Sequence, residues 1–298
     1  SAIAFCFSKY GKMKRIKIIG SLLLLLLFSA CIKESQDDCD VYVYFSYLGD
    51  TDEEIFPQKI DKVNLYVYDE SGVLVMNRVF DREELRLSQG TALDLPRGNY
   101  HLVCWGNAYE TTRINDHASL TSAMVAAPHY FTKEIITTND SLYFGMRDIT
   151  IQGNGEERDT VYFNSSHIKM RVEIVGLEGE EMPLQIEVGN LSPTVDFARN
   201  FSTVKEHYYP IAKRDSETGR SDAKFNVLRF NDDNDVYVNL IDKSTNQVIY
   251  NLKLKDFMQD NQITVDGINE AFVGIRFKIN GLTVTVTPWE EENIKPGI

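Results

Sequence analysis

The segment His167-Ile-Lys-Met-Arg-Val-Glu-Ile-Val175 alternates without a break. Ile168, Met170, Val172 and Ile174 fall on one side, and Lys169, Arg171 and Glu173 on the other. Successive side chains of a strand point to opposite faces, so the pattern predicts a strand with one face in a core and one in water. Leu184-Gln-Ile-Glu-Val188 repeats it, and residues 41–48 are a run of β-branched and aromatic residues that also reads as a strand. Two hairpins are legible. In the first, Val63, Leu65 and Val67 alternate, Asp69-Glu-Ser-Gly72 turns, and Val73-Leu-Val-Met76 returns. In the second, residues 236–241 are followed by Asp242-Lys-Ser-Thr245 and by residues 247–254. Short turns rich in Asp, Ser and Gly close such pairs.

Residues 91–105 read as strand, Pro96-Arg97-Gly98 turn, strand, and further strands are expected at 141–146, 148–151, 161–163, 271–279 and 282–289. Residues 107–135 read as loop with a short helix at 120–126, and residues 193–222 as polar and irregular. Residues 271–279 follow the second hairpin at nearly the offset at which residues 98–105 follow the first, which predicts a repeat of one β-domain type. Many short strands, frequent turns and no long amphipathic helix predict an all-β chain of two tandem antiparallel β-sandwich domains, at residues 40–158 and 159–298.

Upstream the pattern changes. Lys14, Arg15 and Lys17 precede an apolar run from Ile18 to Phe28, which ends on Ser29-Ala30-Cys31. A charged start, a short apolar stretch and small residues at the cut are the marks of a secretory signal, and the run falls short of the roughly 20 residues a bilayer span needs. A cysteine directly after small residues resembles the lipobox of bacterial lipoproteins, with Phe28 where leucine is usual. Residues 1–30 are therefore read as upstream residues and lipoprotein signal peptide, with residues 1–12 set aside. Residues 31–39 become a polar tether lipidated at Cys31. Two or three acyl chains, at about 0.8 kcal/mol per buried methylene, anchor a protein stably.

The net charge of −13 and the lack of a basic stripe argue against nucleic acid as a partner. Four cysteines occur; with Cys6 upstream and Cys31 lipidated, Cys39 and Cys104 remain. An exported chain permits a disulfide between them, and two buried free thiols are the alternative. The five histidines (His101, His117, His129, His167 and His207) show no zinc spacing, and no phosphate loop, dinucleotide fingerprint or Gly-X-Ser-X-Gly elbow appears. No catalytic residue, metal ligand or cofactor is nominated, and a non-enzymatic role is expected. Asn231-Asp-Asp-Asn-Asp235 reads as a turn in preference to a calcium loop, since it lacks the spacing and distal glutamate of one. Trp105 and Trp289 each end an apolar strand and are expected to pack at a core or rim, not to serve as sugar platforms.

Taken together, the lipobox and the Asp38-Cys39-Asp40 that precedes the first aromatic strand form a familiar order with three later segments. These are Lys62-Val-Asn-Leu-Tyr-Val-Tyr-Asp-Glu-Ser-Gly-Val-Leu-Val75, Arg97-Gly-Asn-Tyr-His-Leu-Val-Cys-Trp-Gly106 and the terminal Val284-Thr-Val-Thr-Pro-Trp289. The whole resembles the fimbrial anchor lipoproteins of the Bacteroidales. That resemblance implies transthyretin-like sandwiches, outer-membrane attachment through Cys31, exposure at the cell surface and a basal or accessory place in a fimbrium that limits fibre length. It also implies joining to fimbrial stalk subunits by β-strand addition. Nine residues follow Trp289, so no long C-terminal donor segment is evident. Asp140-Ser141-Leu142 and Asp159-Thr160-Val161 match the O-glycosylation pattern of the same bacterial phylum. The alternative is a surface glycan-binding β-sandwich lipoprotein, which requires exposed aromatics.

Overall fold

The computed structural model describes residues 38–153, 157–179, 181–215 and 217–289. The signal peptide read at 1–30 and lipidation at Cys31 lie outside the described residues.

The first sandwich contains β1 (Asp38–Ser46), β2 (Val63–Asp69), β3 (Leu74–Phe80), β4 (Gly90–Pro96), β5 (Gly98–Gly106), β8 (Tyr143–Ile151) and β9 (Glu157–Ser165). Two short strands, β6 (Arg113–Asn115) and β7 (Met124–Ala126), interrupt it. The strand order is β3-β2-β5-β8-β9-β1-β4. The ribbon folds over into two layers because β9 serves both. Glu157 to Tyr162 pair with β1, and Phe163 to Ser165 pair with β8. At the crossing, a Cβ on Gly145 would lie 2.5 Å from Val161, so only glycine lets the two strands approach there. Val41, Val43 and Phe45 of β1 turn inward against Leu65, Val67, Leu102 and Cys104. Each such aliphatic or aromatic burial contributes roughly 1.5–3 kcal/mol.

The short helix α1 (Phe56–Lys59) plugs this core with Phe56, and α2 (Arg82–Leu87) closes the crossing between the layers. Asp81 caps α2, accepting from the Glu84 amide while the Glu84 carboxylate accepts from the Asp81 amide.

The second sandwich repeats the plan. Its strands include β10 (His167–Val175), β11 (Leu184–Leu191), β13 (Glu206–Tyr208), β14 (Lys213–Asp215), β15 (Arg220–Leu228), β16 (Tyr237–Asp242), β17 (Val248–Lys253), β18 (Phe272–Asn280) and β19 (Thr283–Pro288). One sheet runs β14-β15-β10-β18-β19 and the other β13-β11-β16-β17. Their shared core holds Ile168, Met170, Val172 and Ile174, with Leu254, Phe257 and Met258 of α4 (Leu254–Asp260) at one end. Most pairings in both sandwiches are antiparallel, as expected. Two are parallel: β1 with β9, and β10 with β18.

The pairings show which strands correspond. The first strand of each unit lies between an antiparallel neighbour (β4, β15) and a parallel one (β9, β18), while β2-β5-β8 matches β11-β16-β17. The hairpin similarity seen in the sequence is therefore not the repeat. The 63–76 hairpin is β2–β3, whereas the 236–254 hairpin corresponds to β5–β8. Similar turn chemistry, an aspartate bonding its own following amides at Asp69 and at Asp242, produced the likeness.

Residues 107–135 also depart from expectation. Met124–Ala126 is strand β7, not helix, and the only helix there is α3 (Pro128–Thr132). β7 pairs with β6 and with β12 (Thr194–Asp196) from the second half of the chain. This three-stranded sheet lies over the outer face of β2 and β5, which explains why β2 is buried on both sides.

Candidate functional site

The halves of the chain meet in several places: residues 136–141 bond β13 and β15, with the Asn139 amide donating to the Asn226 carbonyl and Tyr208 Oη to Asn139, and two side-chain clusters complete the contact. The first is apolar. Tyr66, Tyr68, Val103 and Trp105 project from the back of β2 and β5 into a cluster with Phe144, Val125, Val195, Phe197 and Leu228. Phe197 sits within ring contact of Tyr66, Tyr68 and Trp105, at centroid separations of 5.2, 6.2 and 5.9 Å. Trp105 is completely buried, and its indole nitrogen has no hydrogen-bond partner among the described residues. Its place is a core position, but in the core between the two sandwiches.

The second junction is polar and centres on Glu270, just before β18. Its carboxylate accepts from Tyr47 Oη at 2.6 Å, Tyr143 Oη at 3.2 Å, Lys59 Nζ at 2.6 Å and Lys169 Nζ at 2.8 Å. Asp50 accepts from the amides of Asn269 and Glu270 at 2.6 and 2.8 Å, and Asn269 donates to the Gly49 carbonyl. Burial acts to raise the Glu270 pKa, but the hydrogen bonds from Lys169, Lys59 and Tyr47 together outweigh it and hold the carboxyl at about 2. The same burial, with the Glu270 contact, pushes the Tyr47 phenol up, so it stays a donor. His167, at the link between β9 and β10, bonds the Leu142 carbonyl at 3.0 Å and is held neutral by burial down to about 4. Nothing in the sequence marked Glu270, because its four partners lie between 101 and 223 residues away.

Cys104 is a free, fully buried thiol in the first core, and burial pushes its pKa up. The Cys39 side chain lies outside the described residues, so its pairing with Cys104 is not described. The backbone register sets Cys39 opposite Leu95, next to Pro96, whose carbonyl accepts from Tyr100.

Glu173, expected in water, is 3% exposed and ion-paired beneath Arg276. Arg171 beside it grips Asp222 with two bonds, of 2.7 and 2.9 Å. The outer face of β10 is thus polar but covered by long side chains. The 231–235 segment is a turn into β16. Asp232 accepts from Thr264 and Val265, Asp233 pairs with Lys255, and Asn234 accepts from the Val236 amide. No metal-holding cluster occurs among the described residues. Ser141 accepts a bond from Asn226, and Thr160 lies within β9.

A shallow groove of about 330 Å³ lies on the outer face of the five-stranded sheet, bordered by Lys224, Asn226, Phe272 and Trp289. Arg171 stacks on the Trp289 ring, 3.8 Å from its centre, and Phe272 meets it edge-on. Trp105 has no exposed face, and Arg171 covers one face of the Trp289 ring. The remaining open chemistry is main-chain. β19 is an outer strand whose Val284 and Val286 pack on the second core while Thr283, Thr285 and Thr287 face solvent.

These features define a tandem β-sandwich scaffold with open sheet edges and no convergent set of reactive groups among its described residues. The model of the fimbrillin-A associated anchor proteins Mfa1 and Mfa2 matches residues 36–295, and the chain belongs to that family. Membership makes it a fimbria-associated protein of the cell surface that works with fimbrial subunits. Solved structures share the fold. The fimbrial anchor protein Mfa2 from Porphyromonas gingivalis is 16% identical with a TM-score of 0.64, covering 85% of this chain and 96% of that one. A candidate polysaccharide-binding protein from Bacteroides thetaiotaomicron is 16% identical with a TM-score of 0.67, covering 86% and 99%. A candidate adhesin from the same organism is 17% identical with a TM-score of 0.64, covering 85% and 96%. No curated protein sequence matches at a significant level.

Proposed function

We propose that the protein is an outer-membrane lipoprotein, acylated at Cys31, that holds a fimbrium at its base, limits fibre length and does so without catalysis. A fimbrial subunit joins it by β-strand addition along the β18–β19 edge. The observation that carries this reading is β19 itself. It is an extra strand beside β18, and among the described residues no strand fills the matching place beside Glu157 to Tyr162 of β9. An edge with alternating Thr and Val offers main-chain bonds for affinity and side-chain pockets for register. On this reading residues 31–39 form a tether, and the sandwich domains divide at 158/159.

The test is Cys31→Ala in the native cell, with membrane fractionation and electron microscopy of fimbriae. Release of the protein together with long fimbriae into the medium supports anchoring and length control. Release of the protein with fimbriae unchanged removes the anchoring role. Retention of the protein in the membrane fraction removes lipidation at Cys31.

A further inference from the structure

A chain fixed to a membrane at one end and to a fibre at the other carries tension, and the way its strands lie relative to that tension decides how it yields. Six consecutive residues of β1, Val41 to Ser46, pair in parallel with Glu157 to Tyr162 of β9. On its other side β1 pairs antiparallel with β4 over seven positions, from Asp38↔Pro96 to Tyr44↔Gly90. The strand that leaves the membrane side first is thus held in the middle of a layer, not at an edge.

The second sandwich sits at the far end of β1. Tyr47 and Asp50, just beyond the strand's C-terminal end, bond Glu270 and Asn269, and the Ser165 amide at the end of β9 donates to Asn269. The chain link from β9 to β10 is at the same end. A pull on the N-terminal end of β1 against the second sandwich therefore runs along the strand axis. All the pairs on both sides of β1 are loaded together, in shear.

We propose that the first sandwich is a mechanical clamp for the tension of the attached fibre, with β1 as its sheared strand. This rests on the reading of Cys31 as the fixed point. The arrangement recurs in the second sandwich, where Lys169 to Val175 of β10 pair in parallel with Phe272 to Lys278 of β18, and β15 flanks the other side. β19 is loaded differently. Its Pro288 lies beside Ile275, near the N-terminal end of β18, so a pull on the C-terminus peels its six pairs one after another.

The magnitudes follow from strand geometry. Sheared pairs all fail within about one residue rise, roughly 3.3 Å, whereas peeling six pairs spreads the same work over about 40 Å. Equal bond work over these distances gives a shear force on the order of tenfold higher.

The experiment is single-molecule stretching of the chain from residue 32 onward, carrying Cys39→Ser, in two geometries. With handles at the two termini, the expected record is a weak step of about 4 nm as β19 peels, followed by two strong events that each release on the order of 40 nm. With Asp52→Cys as the N-terminal attachment, the load enters at the opposite end of β1, and the first sandwich unzips at a force several-fold lower. Equal unfolding forces in the two geometries overturn the proposal, as does a first sandwich that yields as weakly as β19. This readout does not depend on the cell. A failed clamp leaves the anchoring reading intact, whereas failed release of the Cys31→Ala protein removes the fixed point without changing the measured forces.

Discussion

Replacing Glu270 by glutamine removes one charge from a site where two ammonium groups and two phenols converge. The carboxyl ordinarily titrates near 4.5 and is held here at about 2. At about 1.4 kcal/mol per pH unit, that difference makes the ionised form worth about 3 kcal/mol to the folded state. Glutamine keeps the shape and some of the hydrogen bonds but leaves Lys59 and Lys169 facing each other without an anion, so the loss at pH 7 is expected at about 3 kcal/mol. Because the folded pKa lies below the unfolded one, this stabilisation is complete above about pH 4.5 and is lost as the pH falls through about 2. Chemical denaturation of both proteins from pH 7 to 2 measures it. The gap between them is expected to be constant down to about pH 5 and to close by about pH 2. A gap below about 0.5 kcal/mol at pH 7, the range of ordinary surface substitutions, refutes the reasoning. So does a gap that persists unchanged to pH 2.

Phe197→Ala opens a cavity under Trp105, Tyr66 and Tyr68 and is expected to cost about 3–5 kcal/mol in equilibrium unfolding, with a red shift of Trp105 fluorescence. His167 is neutral in the folded chain down to about 4, so below its ordinary 6.5 the unfolded chain takes up a proton first. Stability should therefore already decline as the pH falls from about 6.5 toward 4, before Glu270 titrates, and a flat profile over that range would count against a buried neutral imidazole. In a Cys39→Ser background without Cys31, the Cys104 thiol should resist an aqueous disulfide reagent in buffer and react fully in denaturant; rapid labelling of the native protein would show that the first core opens.

Where a strand has one wet face and one dry face, its alternation was readable: residues 41–45, 168–174 and 184–188 each sit in the predicted strand with the predicted apolar face inward. Elsewhere tertiary neighbours change the character of a face. Tyr66 and Tyr68 looked like the outer face of a hairpin, and they are buried because β6, β7 and β12 lie over them. Glu173 looked solvated, and it is roofed by Arg276. The segment at 124–126 carries Met-Val-Ala, which has no period of its own and takes strand form by pairing with Thr194 to Asp196. The parallel pairs β1–β9 and β10–β18 leave no local trace, since their partners lie more than 100 residues apart. The family could be recognised because its short apolar motifs recur in order along the chain. The Glu270 junction had no such signature, since one acidic residue before an apolar run is common.

The most direct test of a basal, lipid-held anchor is where the protein sits on a fibre. Gold-labelled antibody against residues 38–289, applied to cells and to the fibres shed by the Cys31→Ala strain, gives that position. A basal anchor places gold at the cell-proximal end of attached fibres and at one end of each shed fibre. Gold spaced along the shafts, or confined to the distal tips of attached fibres, contradicts it.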